Sequence, residues 1–287
     1  MATLKQIRGR IKAAKNIQQI TRAMKLVAAA RFKRATDRVL EARPYSEKLR
    51  EVMLSLSAGG DLPSHPLMEK RPEIKKAILI LVTSDRGLAG SYNTNLLRRS
   101  GDWMKAQDFE VELLTVGKKG LQFFGRRGAT IGHSLLMPSA GARLQDAVEV
   151  ARITRAKFES GDADAIFVCY AKFFSAIRQV PQIVQLLPIE PPEGAESTSQ
   201  GADFLFEPEP RLLLDTLLPR YFQTLLWQAM LEATASEFGS RMTAMTAATD
   251  NAGKMITDLT LKANRQRQAN ITKEILEVVG GAEALKS

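Results

Sequence analysis

The sequence predicts an α+α/β protein: a long antiparallel two-helix coiled coil from the N- and C-terminal segments, with an α/β domain inserted between them. Three observations predict it. Apolar residues near both ends fall at alternating three- and four-residue steps. The middle of the chain changes to short continuous apolar runs. The insert between the ends is long enough to bring the chain back on itself, so the helices can pair as a rod carrying a knob.

The N-terminal stripe comprises Leu4, Ile7, Ile11, Ala14, Ile17, Ile20, Met24, Ala28, Phe32, Ala35, Val39 and Ala42. Sustained steps of this kind mark helices that wind around one another. The helix is expected over residues 1–58. Pro44 should mark a kink or a local break, because an interior proline removes a hydrogen bond. Ser57-Ala58-Gly59-Gly60 should end the element.

The same rhythm returns in Leu231, Ala235, Phe238, Met242, Met245, Thr249, Ala252, Ile256, Leu259 and Ala263. This second helix is expected over residues 210–287, with a possible bend at Pro219. At 1.5 Å per residue it spans on the order of 110 Å, against about 75 Å for the first helix. Its last turns should therefore project without a mate. Ile271, Ile275, Leu276, Val278 and Val279 lie there and call for surrounding protein.

The inserted domain is expected over residues 74–190. Ala77 to Thr83 is a continuous apolar run, as in a strand covered on both faces. Helical stretches follow through Leu96, Leu97 and Trp103, at Lys118–Phe124, and from Leu144 to Phe158. Further strands are read at Val111–Val116, Ala165–Ala171 and Ile183–Ile189. Strands alternating with helices imply a mostly parallel, Rossmann-like sheet. Residues 191–209, rich at first in Pro, Glu, Gly and Ser, are expected to be a loop segment.

Composition narrows the chemistry. The chain has 287 residues and 45% hydrophobic content, enough for a real core. No apolar run approaches the roughly 18 residues needed to cross a bilayer, so a membrane role would be peripheral. Cys169 is the single cysteine and sits in an apolar run, where it reads as a small buried hydrophobe. The two histidines, His65 and His133, show no ligand spacing. No catalytic, cofactor-binding or metal-binding residues are assigned.

The net charge is +10, and its location matters more than its size. Residues 1–50 hold 14 Lys/Arg and 3 Asp/Glu, and the remainder sums to −1. The basicity belongs to the first helix, which should be drawn to something acidic. A basic, acid-poor start also suits a transit peptide. The stripe begins at Leu4 and enters the helix unbroken, so no removable leader is expected.

Thr83-Ser84-Asp85-Arg86-Gly87-Leu88-Ala89-Gly90-Ser91 follows the first strand, where a glycine turn can cradle phosphate. Its spacing matches neither the dinucleotide fingerprint nor the phosphate loop. It reads as a tight turn, with Asp85 capping the helix that follows. Gly117-Lys118-Lys119-Gly120 and Gly125-Arg126-Arg127-Gly128 are basic but lack aromatic residues placed for base stacking. The carboxylates of Glu207 and Glu209 are held apart by proline in extended backbone. Two rival functions remain. A nucleic-acid-binding coiled coil leaves the near-neutral second helix unexplained. A nucleotide-binding enzyme with helical arms lacks a phosphate motif.

Four stretches carry a family resemblance. They are Ile20-Thr21-Arg22-Ala23-Met24-Lys25-Leu26-Val27-Ala28-Ala29, the turn Ser84 to Gly90, the run Ser240 to Ala252, and Arg267-Gln268-Ala269-Asn270-Ile271-Thr272-Lys273-Glu274-Ile275-Leu276-Glu277 with Gly281-Ala282. In order and in sequence they resemble the gamma subunit of F-type ATP synthases, across the whole chain. The resemblance implies a central rotor shaft without a catalytic site, standing in a hexamer of alpha and beta subunits that does the nucleotide chemistry. Proton-driven rotation of a membrane c-ring would turn it. By the same resemblance Met24, Lys25 and Arg241 face the beta-subunit hinge, whose acidic segments would answer the basic helix. Arg267, Gln268 and Thr272 meet beta-subunit loops nearer the top. Phe204, Phe206 and Glu207 belong to the foot, near the epsilon subunit and the c-ring. No cofactor and no nucleic acid are implied. The redox insert of chloroplast members, with its cysteine pair, is absent. This favours the cytoplasmic face of a bacterial inner membrane, with peripheral attachment through the complex.

Overall fold

Helices at the two ends of the chain bracket a five-stranded sheet in the computed structural model, which describes residues 3–58, 65–190 and 210–284. Two compact units are present: Met1–Val27 with Met242–Ser287, and Ala28–Arg241. Helix α1 (Leu4–Ala58) and helix α5 (Pro210–Ala284) each contribute to both.

In the first unit the two helices form a seam with the heptad step. Leu4, Ile7, Ile11, Ala14, Gln18, Thr21 and Met24 of α1 are buried or half-buried. So are Met242, Met245, Thr249, Ala252, Ile256, Leu259 and Ala263 of α5. The Thr249 hydroxyl donates to Thr21 Oγ1 at 2.8 Å. A Cβ on Gly253 would stand 3.0 Å from Gln18 Nε2. Residue numbers fall on one helix as they rise on the other, so the pair is antiparallel.

This seam differs from the predicted stripe at one point. Ile17 and Ile20 are 53% and 59% exposed, and the polar Gln18 and Thr21 take their places inside. Strict three-four stepping from Ile11 and Ala14 reaches 18 and 21. Polar side chains are tolerated there because Thr21 finds a hydroxyl partner and glycine leaves room beside Gln18.

The second unit is built on strands β1 (Lys76–Val82), β2 (Glu110–Val116), β3 (Ile131–Leu135), β4 (Ala165–Phe173) and β5 (Gln179–Leu187). Their order in the sheet is β3-β2-β1-β4-β5. Every pair is parallel except β4 with β5. The mostly parallel sheet was legible. Strand β3 was not: it is a short edge strand, half-buried at alternate positions, and Gly132, His133 and Ser134 give it no apolar run. Strand β5 begins at Gln179 instead of Ile183 and includes Pro181. Proline is accepted at a sheet edge, where its missing N–H leaves no partner stranded.

Alternate residues of β1 feed two cores. Ile78, Ile80 and Val82 pack with helix α4 (Leu144–Glu159) through Val150 and Phe158, with Leu218, Phe222 and Met230 of α5, and with Leu49 and Met53 of α1. Leu79 and Leu81 pack on the other face with Tyr92 and Leu96 of helix α2 (Tyr92–Lys105) and Phe124 of helix α3 (Lys118–Gly125). The Asp146 carboxylate accepts the Arg143 N–H at 2.8 Å, closing the start of α4. Cys169 lies in the second core, fully buried as expected, and burial pushes its thiol up to about 12.

Helix α1 continues through Pro44 without the local break that was one of the two expected outcomes. Pro44 is exposed, so water can reach the carbonyl that the proline ring leaves without a donor. Residues 229–239 of α5 are buried on every side. Ala35 and Val39 of α1 cover Leu231, Ala235 and Phe238 on one flank. The sheet margin covers another. The Ser236 hydroxyl donates to the Ala171 carbonyl at 2.9 Å, and Glu232 Oε2 accepts the Phe173 N–H at 3.2 Å.

Gly117 joins β2 to α3 with φ +99°, and a Cβ there would meet the Thr83 carbonyl oxygen at 2.2 Å. Gly117→Ala should therefore lower the unfolding free energy by at least about 1–3 kcal/mol, the range for backbone strain alone. A urea titration followed by far-UV circular dichroism measures the change.

Candidate partner-contact surfaces

The first unit presents an uneven surface. Residues 1–27 carry Lys5, Arg8, Arg10, Lys12, Lys15, Arg22 and Lys25 with no Asp or Glu. All are exposed except Lys25, which is half-buried beside the half-buried Met24. Ile17, Ile20, Leu26 and Val27 interleave with these cations and are exposed as well. Such a face combines apolar area with unpaired positive charge.

Beyond Ala263, α5 has no buried residue among those described. Arg267, Gln268 and Thr272 are exposed there, as are Ile271, Ile275, Leu276, Val278 and Val279. Clustered exposed aliphatics of this size signal a contact surface. The three predicted residues thus share one open stretch of helix.

Arg241, in the second unit, is placed differently. It is 8% exposed, and its guanidinium is committed within the chain. Nη1 lies 2.6 Å from Glu237 Oε1, and Nη2 donates to the carbonyls of Arg86 and Gly87 at 3.3 and 3.4 Å. Burial raises the Glu237 carboxyl above the usual carboxylate range, and the Arg241 charge pulls it back down. The pair occurs at i and i+4, the spacing at which a helix brings side chains together. That spacing was readable, although Glu237 was not singled out from sequence.

Arg241 holds the turn after β1. Ser84 N–H is accepted by Asn93 Oδ1 at 3.1 Å, and Leu88 sits at φ +63°. Asp85 was expected to cap the following helix, α2. Its Oδ1 instead accepts the N–H groups of Lys118 and Met137, at 2.9 and 3.1 Å, and so caps α3. The next two N–H groups of α3 go to the Ser84 carbonyl and to Thr83 Oγ1. With its first three amides engaged, α3 has none left to cradle a phosphate at that turn.

Phe204, Phe206 and Glu207 lie outside the described residues. Among the described residues there is no group of His, Cys, Asp and Glu that could hold a metal ion, and no helix is long and apolar enough to cross a membrane.

A paired-helix unit and a mostly parallel α/β unit together define the fold class, and known structures share it. The central stalk and c-ring of the Tetrahymena thermophila mitochondrial ATP synthase includes a chain that is 25% identical, with a TM-score of 0.59 over 80% of this chain and 99% of that one. A chain of the Euglena gracilis mitochondrial ATP synthase is 20% identical and shares the fold, with a TM-score of 0.72 over 98% and 94%. The ATP synthase family model matches residues 3–285. ATP synthase gamma chains of Pelotomaculum thermopropionicum and Moorella thermoacetica are 43% and 45% identical over 286 residues, covering all of each chain. This chain belongs to the ATP synthase gamma chain family. It is accordingly a central-stalk component and a non-catalytic subunit of the complex.

Replacing Arg241 by Gln leaves Glu237 buried without its cation, with Asp85 nearby adding to the penalty and Arg31 only partly offsetting it. The carboxyl then titrates higher still, so the folded state keeps a proton that the unfolded state releases. Stability falls as pH rises from the ordinary carboxylate value through the raised one. The expected loss is about 3–5 kcal/mol at pH 8 and clearly smaller at pH 5, measured as the shift in urea midpoint at each pH.

Proposed function

We propose that this chain is the turning shaft of a bacterial F-type ATP synthase, passing torque between a proton-driven membrane c-ring and a hexamer of alpha and beta subunits. The family supplies the role. The observation that carries the finer reading is the stretch of α5 after Ala263, helical yet without a buried residue among those described and lined with exposed aliphatic side chains. A surrounding sleeve of protein is what such a helix needs.

In this reading the hexamer's beta subunits meet Met24 and Lys25 on the basic face, and meet Arg267, Gln268 and Thr272 on the open stretch. Attraction between exposed charges is worth about 0–1 kcal/mol per pair and is screened by salt. Weak contacts of that size suit a surface that must pass successive subunits without locking. Arg241 takes part only if an acidic partner competes with Glu237 and the two turn carbonyls. The epsilon subunit and the c-ring meet the foot, through Phe204, Phe206 and Glu207. The 74–190 segment acts as the inserted domain, and the complex sits on the cytoplasmic face of the inner membrane.

Two experiments test this. The tagged chain should co-purify two larger nucleotide-binding subunits in threefold excess, and recovery of the chain alone from intact membranes would refute the role. Arg267→Ala with Gln268→Ala should lower ATPase turnover of the reconstituted hexamer about tenfold, equivalent to about 1.4 kcal/mol. Unchanged assembly and turnover would remove the upper contact.

A further inference from the structure

We infer that the second unit contains a binding site for a small multivalent oxyanion of the phosphate class, in the pocket beneath the turn after β1. The pocket has a volume of about 210 Å³. Arg31, Arg86, Lys118 and Arg241 are the four cationic residues of its lining, with Asp85 and Glu237 as its two acidic ones.

Both carboxylates are already engaged. Asp85 Oδ1 accepts two backbone N–H groups, and Glu237 is paired with Arg241 at 2.6 Å. No ion pair among the described residues joins Arg31, Arg86 or Lys118 to a carboxylate. Arg31 instead lies over the Phe238 ring at 5.8 Å, on which Arg241 also stacks at 5.8 Å. Four cationic residues thus face two carboxylates in one concavity, which leaves it an excess of positive charge whose field its walls concentrate. Guanidinium groups match the tetrahedral oxygens of phosphate with paired donors, and an ammonium adds a point charge.

Size sets the ligand class. Pockets for drug-sized molecules run to roughly 300–1,000 Å³, so this one takes an ion with its water and not a nucleotide. The site differs from a backbone cradle. The first amides of α3 are occupied by the 83–85 turn, so the side chains must do the holding. It is also independent of the shaft role, which could stand without it.

The test is a titration of the full-length chain into inorganic phosphate, followed by the line width of the phosphorus resonance. Saturable broadening is expected, and sulfate should suppress it by competing for the same donors. Arg31→Gln with Arg86→Gln should weaken binding at least tenfold, while Arg8→Gln with Lys12→Gln, which removes equal charge from the first unit, should leave it within twofold. If the pocket double variant loses its helical dichroism, Lys118→Gln alone is read and should weaken binding at least threefold. Absence of saturable broadening in the unaltered chain would overturn the site. So would equal losses in the pocket and control variants, which would mean diffuse attraction only.

Discussion

Burial of the whole circumference of α5 between Ala229 and Gly239 is the constraint on which the second unit depends. An ordinary surface helix hides one apolar stripe and leaves the rest to water. Here water has no side left, so each polar group on the helix requires a partner. Glu232 reaches the Phe173 N–H, Thr234 Oγ1 accepts the Ala142 N–H, Ser236 reaches the Ala171 carbonyl, and Glu237 holds Arg241. Leaving one such group unmet costs about 1–3 kcal/mol, more for a charge. Small residues make the enclosure possible. A Cβ on Gly239 would come within 3.1 Å of the Phe32 ring and 3.3 Å of Ala176.

The first unit solves a different problem with weaker means. Its seam mixes alanine, methionine, threonine and a glycine with leucine and isoleucine, and a hydroxyl pair joins Thr21 to Thr249. Small seam residues bury little area each, at roughly 25 cal/mol per Å². What such a unit gains is a narrow cross-section and an outer surface free to meet other protein. Charge is divided accordingly, with cations along α1 and near balance along the α5 segment. The Arg241 guanidinium is satisfied inside the chain.

Much of the fold was legible because periodicity reports burial. The long stripes gave both helices, and Ala77–Val82 gave the central strand because burial on both faces leaves no polar residue. Strand β3 escaped because an edge strand half-exposed to water need not be apolar. Ile17 and Ile20 misled because hydrophobicity was taken for seam position, when the three-four step counts from neighbours on either side. Asp85 was correctly read as a cap but assigned to the nearer helix. Only the sheet order brings α3, some thirty residues on, beside that carboxylate. The open residues after Ala263 were foreseen from helix lengths alone. The pocket beneath the turn was invisible, since Arg31, Arg86, Lys118 and Arg241 come from four separate stretches of chain.

The enclosed span of α5 and its bare final turns also differ in how their amide protons meet solvent. Backbone protons between Ala229 and Gly239 can exchange with deuterated water only when the surrounding walls come apart, whereas those past Ala263 need only a local opening of the helix. A single uninterrupted helix should thus label as though it were two substances, one nearly inert over hours and the other replaced early, with the difference set by its surroundings and not by its own hydrogen bonds.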